Sequence, residues 1–286
     1  MALVTLIAGC TAPLNVSSST VSPYLGVYEP ESPGSYAPIE TFASTIHKSP
    51  DIALYYSGWP ERFQKNFAEQ AHKHGATLLI QIDPTNVNMK ALASGKYNSY
   101  IALYARNVGA YGRQVIIGFG HKMNGPGYTW AWGHTSPNAW VSAWRHIVQV
   151  FRKQGAKNVT WMWAITRESP STGPIRDSWP GAGYVNWVGI DEYYYSRTDT
   201  FDSVFGPTLT AVRKLTRKPI LLSEVGIGQV SGQAAKIPGL FADVREDHLL
   251  GLVWFDVDQH GSEYAQDWRL EGHKAAVEAF RRAAAH

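Results

Sequence analysis

Two stretches far apart in the chain carry the residue types needed for nucleophilic and acid–base chemistry. One is His121-Lys122-Met123-Asn124-Gly125, which follows the apolar run Val115-Ile116-Ile117 after a short Gly-containing turn. The other is Glu224, which directly follows Pro219-Ile220-Leu221-Leu222-Ser223. A carboxylate at the end of a stiff apolar run sits at the mouth of a sheet or barrel, in reach of a ligand. Further carboxylates hold similar places: Glu29, Asp83, Glu168, Asp191, Glu192 and Asp256. Carboxyl groups about 5–5.5 Å apart can cleave a glycosidic bond with retention, one as nucleophile and one as acid/base. Glu224 is the best candidate nucleophile. The competing assignment is a helix N-cap partner or a solvated rim charge. Metal chemistry is disfavoured, because His72 and His74 fall at a helix end and no other histidine pair has ligand spacing. No cofactor is expected.

The elements that must position these residues are legible as apolar runs. Eight strand-like segments are 25–28, 52–56, 77–82, 115–119, 160–164, 187–190, 219–222 and 251–255. Most are continuously apolar rather than alternating, the pattern of parallel strands covered on both faces. Helical periodicity falls between them, near 39–47, 61–74, 97–110, 201–215, 238–245 and 272–284. It is clearest after Ser136-Pro137, an N-cap followed by proline at the first helical position, and ends at Lys153-Gln154-Gly155. Repeated strand–helix units without a composition break predict one (β/α)8 TIM barrel, an α/β single domain over residues 24–286. An open doubly wound sheet is less favoured, since no Gly-rich dinucleotide fingerprint follows an early strand.

Composition narrows the partner. The 286 residues are 44% hydrophobic and 17% charged, with a net charge of +3 and no basic stripe, which argues against nucleic acid. Eleven tryptophans are more informative, because rings beside Gly, Pro and Asn can face a groove and stack on sugars. The opening Met1–Cys10 is apolar and too short to span a bilayer. Ile7-Ala8-Gly9-Cys10 is similar to a bacterial lipobox, although no basic segment precedes it, and residues 11–23 follow as a Ser/Thr/Pro-rich tether. The competing reading is a small buried thiol. The lone cysteine excludes an internal disulfide. The expectation is an extracytoplasmic protein, secreted or lipid-anchored at Cys10, and a monomer.

Several ordered segments resemble family 26 glycoside hydrolases. Residues 115–133 are similar to that family's fourth-strand segment. Val188-Gly189-Ile190-Asp191-Glu192-Tyr193 resembles its sixth strand, Pro219–Gly226 its nucleophile strand, and Trp254-Phe255 with Asp267-Trp268-Arg269 its closing segment. The resemblance implies a retaining, endo-acting β-glycosidase barrel with a mannan, β-glucan or xylan substrate. It makes Glu224 the nucleophile and Tyr193 its hydrogen-bonding neighbour. His121 and Asn124 would contact substrate, Trp254 would floor a sugar subsite, and Trp130 and Trp132 would be platforms along the cleft, with simple packing of a long loop as their alternative. Asp83 is a further substrate-binding candidate.

Two positions depart from the resemblance. Lys122 stands where the family places its acid/base glutamate, and Gly118 where it usually has an arginine. An ammonium beside Glu224 would keep that carboxylate ionised and partly replace the missing arginine charge. With a reference pKa of about 10.4 it is a weak acid, and general acid catalysis is worth roughly 10²–10⁴-fold. Another acid would then be needed, with Glu192 first, followed by Glu168, Asp191 and Asp83. Strand alternation puts at most one of Asp191 and Glu192 in the cleft. Two expectations stand: a retaining β-glycan hydrolase with a substituted acid/base position, or an impaired or inactive barrel that binds polysaccharide along an aromatic cleft.

Overall fold

The computed structural model describes residues 22–259 and 266–285. Cys10, the lipobox-like segment and the tether through residue 21 lie outside the described residues. The chain forms a closed eight-stranded barrel in sequential order. Its strands are β1 (Tyr24–Tyr28), β2 (Ile52–Gly58), β3 (Thr77–Asp83), β4 (Val115–Phe119), β5 (Val159–Thr166), β6 (Trp187–Tyr194), β7 (Ile220–Ile227) and β8 (Gly251–Phe255). All neighbours run parallel, and β1 pairs with β8 to close the ring. A short antiparallel pair, β9 (Asp258–Gln259) and β10 (Gln266–Asp267), follows the barrel.

Side chains alternate between two cores. Ile52, Leu54, Leu79, Ile116, Met162, Ala164, Leu221 and Val253 fill the barrel interior. The opposite strand faces pack beneath the helices in a larger outer core. Burial on both faces explains the near-continuous apolar runs. The helices are α1 (Ala37–Ile46), α2 (Lys65–Lys73), α3 (Met89–Ala93), α4 (Asn98–Tyr111), α5 (Pro137–Lys153), α6 (Phe201–Val204), α7 (Gly206–Leu215), α8 (Gln233–Glu246) and α9 (Lys274–Ala284). In α5 the Ser136 hydroxyl caps Ala139 N–H and Pro137 occupies the first turn, as the sequence predicts.

Three details differ from the sequence expectation. The short α3, capped by the Asn88 side chain, was not anticipated. The β5–β6 crossover carries only a 3-10 turn at Ile175–Ser178. Helix α8 starts at Gln233, so Pro238 is inside it rather than at its start. Strands β6 and β7 also run past their apolar stretches, which makes Asp191, Tyr193 and Glu224 strand residues held by the ladder.

Candidate active site

The carboxyl ends of the strands surround a cleft of about 670 Å³. Its floor is built by parity. On β2 the inward set Ile52 and Leu54 continues to Tyr56, and on β8 Val253 continues to Phe255. Strand β7 breaks the alternation. Ile190 pairs with Leu222 but Asp191 pairs with Glu224, leaving Ser223 as an extra residue. This bulge turns both Ser223 and Glu224 inward, the kind of re-aiming that bulges produce. The Ser223 hydroxyl donates to Asp191 Oδ1, while Glu224 reaches the cleft.

Glu224 is 1% exposed and accepts three hydrogen bonds. Tyr56 donates to Oε1, and Lys122 Nζ and Tyr193 donate to Oε2, the last at 2.6 Å. Burial pushes the Glu224 carboxyl up, but the Lys122 and His121 cations with these donors outweigh it and hold its pKa at about 2. Burial likewise opposes the Lys122 ammonium, and Glu224 reverses that, holding Lys122 well above the ordinary lysine range. The Lys122 ammonium also lies 5.4 Å from the centre of the Tyr193 ring.

The turn carrying Lys122 is held by its backbone. Gly120 and Lys122 both adopt left-handed φ, +56° and +51°. A Cβ on Gly120 would come within 2.8 Å of the Trp140 indole nitrogen, so the turn also needs glycine for space. Lys122 N–H donates to Ala164 O at 3.0 Å, tying the turn to β5. Beside it His121 pairs with Asp83 at 3.0 Å and lies 3.1 Å from the Tyr128 hydroxyl. Burial disfavours the imidazolium, yet Tyr128, Asp83 and Glu224 together raise its pKa to about 10. At neutral pH His121 is therefore a second cation in the cleft.

Both Asp191 and Glu192 line the cleft, which corrects the expectation that only one could. Asp191 follows the inward parity. Glu192 curls back at the strand end, where Oε1 accepts from Tyr193 N–H and Oε2 from the Thr166 hydroxyl, with Arg167 at 3.8 Å. Burial, reinforced by the Glu224 charge, lifts Asp191 to about 7 against the pull of Lys122, His121 and Ser223. Burial also raises Glu192, partly offset by Arg167.

Four expected contacts fall elsewhere. Trp254 is fully buried, faces away from the cleft onto Phe280, and donates to Asp256 and Trp268 O. Its neighbour Phe255, stacked with Tyr28 at 5.0 Å, lines the cleft instead. Trp130 is buried, stacks on Tyr128 and donates to His121 O, so it supports the turn. Trp132 is exposed but sits beside Gly173 and a small side cavity rather than the cleft. Asn124 is buried and clamps the backbone N–H and C=O of Thr166. At Gly118, a Cβ would lie 1.9 Å from Gln81 Oε1, so the fully buried Gln81 amide fills the space a side chain there would take. Sequence reasoning missed Tyr28, Tyr56, Tyr128 and Phe255. Alternation from Ile52 and Val253 was the available signal for Tyr56 and Phe255.

The family model for glycosyl hydrolase family 26 matches residues 65–266, most of the chain and six of the eight barrel strands, β3 to β8. The chain belongs to glycosyl hydrolase family 26. It is 28% identical over 262 residues to Endoglucanase H of Acetivibrio thermocellus, covering 86% of this chain and 28% of that protein. It is 26% identical over 200 residues to a β-1,3-xylanase from Vibrio sp, covering 68% of this chain and 42% of that protein. The chain thus spans less than half the length of these curated relatives. A Cellulomonas fimi endo-β-1,4-mannanase double mutant shares the fold, with a TM-score of 0.71 at 14% identity over 92% of this chain and 70% of that one. The closed barrel puts the ends of β4 and β7, hence Lys122 and Glu224, on one cleft.

Proposed function

We propose that the protein is a retaining endo-β-glycosidase acting on a β-linked polysaccharide of the mannan, β-glucan or xylan class, with Glu224 as the nucleophile. The observation that carries this is the state of Glu224: a carboxylate at the floor of the cleft, kept ionised by Lys122, His121, Tyr56 and Tyr193. An ionised, oriented carboxylate is what covalent attack on an anomeric carbon requires. The aromatic floor of Tyr28 and Phe255 offers sugar faces a stacking surface, and the hydrophilic rim of Asp83, His121 and Arg167 offers hydroxyls their partners. The endoglucanase and xylanase names of the relatives support the substrate class and the endo mode. A location outside the cytoplasm belongs to the same proposal, since a polymeric glycan does not cross a membrane. If Cys10 is the anchor, Cys10→Ala moves the full-length protein from the membrane to the soluble fraction.

The test is covalent labelling. Activated 2-deoxy-2-fluoro β-glycosides of glucose, mannose and xylose are incubated with the protein, and the adduct is located by peptide mass spectrometry. Label on Glu224 from one of the three supports the reading. The direct Lys122–Glu224 bond favours a second reading, a barrel that binds glycan without cleaving it. No label from any of the three, with oligosaccharide binding retained, selects that second reading.

A further inference from the structure

Cleavage through Glu224 needs a proton for the departing oxygen, and Glu192, Asp191 and Lys122 are among the cleft groups that could carry one. Glu192 is engaged at the β5–β6 rim by Tyr193 N–H, Thr166 and Arg167. Asp191 is 1% exposed and its Oδ1 accepts from the Ser223 hydroxyl. Lys122 differs from both. Its side chain keeps 17% exposure to the cleft, its stem has four carbons, and its ammonium touches the very carboxylate that forms the covalent bond. It also stands on the β4 turn, facing β7 across the cleft.

The electrostatics of that contact change during the reaction. A buried ammonium persists only while a counter-charge compensates its lost hydration. Here the counter-charge is Glu224. The other groups facing Lys122 are Asp191 on β6, the Tyr193 hydroxyl and ring, Tyr128 from the loop after β4, and the His121 cation beside it. Tyr56 holds the same carboxylate from β2. When Glu224 becomes an ester its negative charge disappears, while burial and the His121 charge remain. The ammonium then becomes acidic at the moment the glycosidic oxygen becomes basic.

Resting on the retaining reading above, we propose that Lys122 is the acid/base catalyst of this barrel, releasing its proton as Glu224 is glycosylated and recovering it as the sugar is freed. In the first step the C1–O bond of the substrate breaks, a bond forms from C1 to a Glu224 carboxylate oxygen, and an ammonium proton goes to the leaving oxygen. The products are a glycosyl ester and a neutral Lys122 amine. In the second step water attacks C1, the ester bond breaks, and the amine takes the proton of the water. Carboxylate and ammonium are restored, and no other reactant is consumed.

The test separates acid-dependent from acid-independent chemistry in Lys122→Met. The probes are 2,4-dinitrophenyl β-glycosides of cellobiose, mannobiose and xylobiose, whose leaving group departs without a proton, beside the matching polymers. The expected result is loss of polymer hydrolysis by at least about 100-fold. The best dinitrophenyl probe should still give a burst, with the adduct accumulating on Glu224, and azide should restore turnover as the β-glycosyl azide. A second variant tests the electrostatics without catalysis. In Glu224→Gln, which resembles the neutral ester, NMR titration of the Lys122 side chain should show a pKa below the ordinary lysine range, against one above it in the unmodified protein. Undiminished polymer hydrolysis by Lys122→Met overturns the proposal. So does an accumulating, azide-rescued adduct in Asp191→Asn but not in Lys122→Met, or an ordinary lysine titration in Glu224→Gln. No burst and no adduct in the unmodified protein with any probe overturns the retaining reading itself.

Discussion

Removing both partners of the Lys122–Glu224 pair should destabilise the fold by clearly less than the sum of removing each alone. Glu224 is 1% exposed and its pKa is held at about 2 against a reference of 4.5, a difference worth about 3 kcal/mol at roughly 1.4 kcal/mol per unit. Breaking a buried pair from one side costs about 3–5 kcal/mol, because the remaining charge loses its compensation. Lys122→Met and Glu224→Gln should each lose stability of that order. Their combination should cost about 3 kcal/mol less than the sum of the two. The pH dependence has a defined sign. A carboxyl with a depressed folded pKa contributes stability above its unfolded value, and that contribution is lost as pH falls toward the folded one. The gap between the unmodified protein and Lys122→Met should therefore be widest near neutrality and narrow as pH drops from about 5 toward 3. Urea unfolding followed by the fluorescence of the 11 tryptophans measures all four corners of the cycle. Additive single effects, with a coupling below about 0.5 kcal/mol, would refute the claim that these two charges exist for each other.

Three further outcomes follow from the packing. Phe255→Ala should raise KM for oligosaccharide with little loss of stability. Trp254→Ala should instead lower stability by about 3–5 kcal/mol, which ligand titration and denaturation separate. Gly118→Arg should destabilise by collision with the Gln81 amide, and adding Gln81→Ala should recover a large part of the loss, visible as paired thermal midpoints. Glu29 shares a hydrogen bond with Asp256 in a buried carboxyl pair, and burial together with Asp256 pushes Glu29 to about 9. An acid with a raised folded pKa loses stability as pH rises from its unfolded value to its folded one. Glu29→Gln should therefore flatten the fall in stability between about pH 5 and 9; an unchanged slope counts against the pair.

The barrel was legible because its strands are buried on both faces. Runs such as 115–119 and 219–222 need no knowledge of their neighbours to read as strands. Glu224 was legible for the same reason, as the first charge after such a run. The β5–β6 crossover and α3 were not, since a 3-10 turn and a five-residue helix have too few residues to show a period. The start of α8 was misplaced because Pro238 reads as a helix beginning and is in fact accommodated within one.

Resemblance carried over by position also failed where one residue of parity mattered. Trp254 and Phe255 are adjacent, but only the second shares the inward face of Val253. Trp130 and Trp132 looked like platforms by composition, yet their loop folds back to support His121 and a side cavity. Asn124 spends its amide on the Thr166 backbone, a demand that only a neighbouring strand can impose.

By itself the sequence determined the barrel, the nucleophile candidate and the presence of a lysine where a carboxyl was expected, because each depends on local pattern. The tertiary structure decided what that lysine is. Whether Lys122 is a solvated rim cation or a buried counter-ion depends on how far Glu224, Tyr56 and Tyr193 close around it, and those come from three other strands. The Ser223 bulge that turns Glu224 toward it is likewise set by register with β6. Charge, burial and register are properties of neighbours in space, and a chain read residue by residue does not contain them.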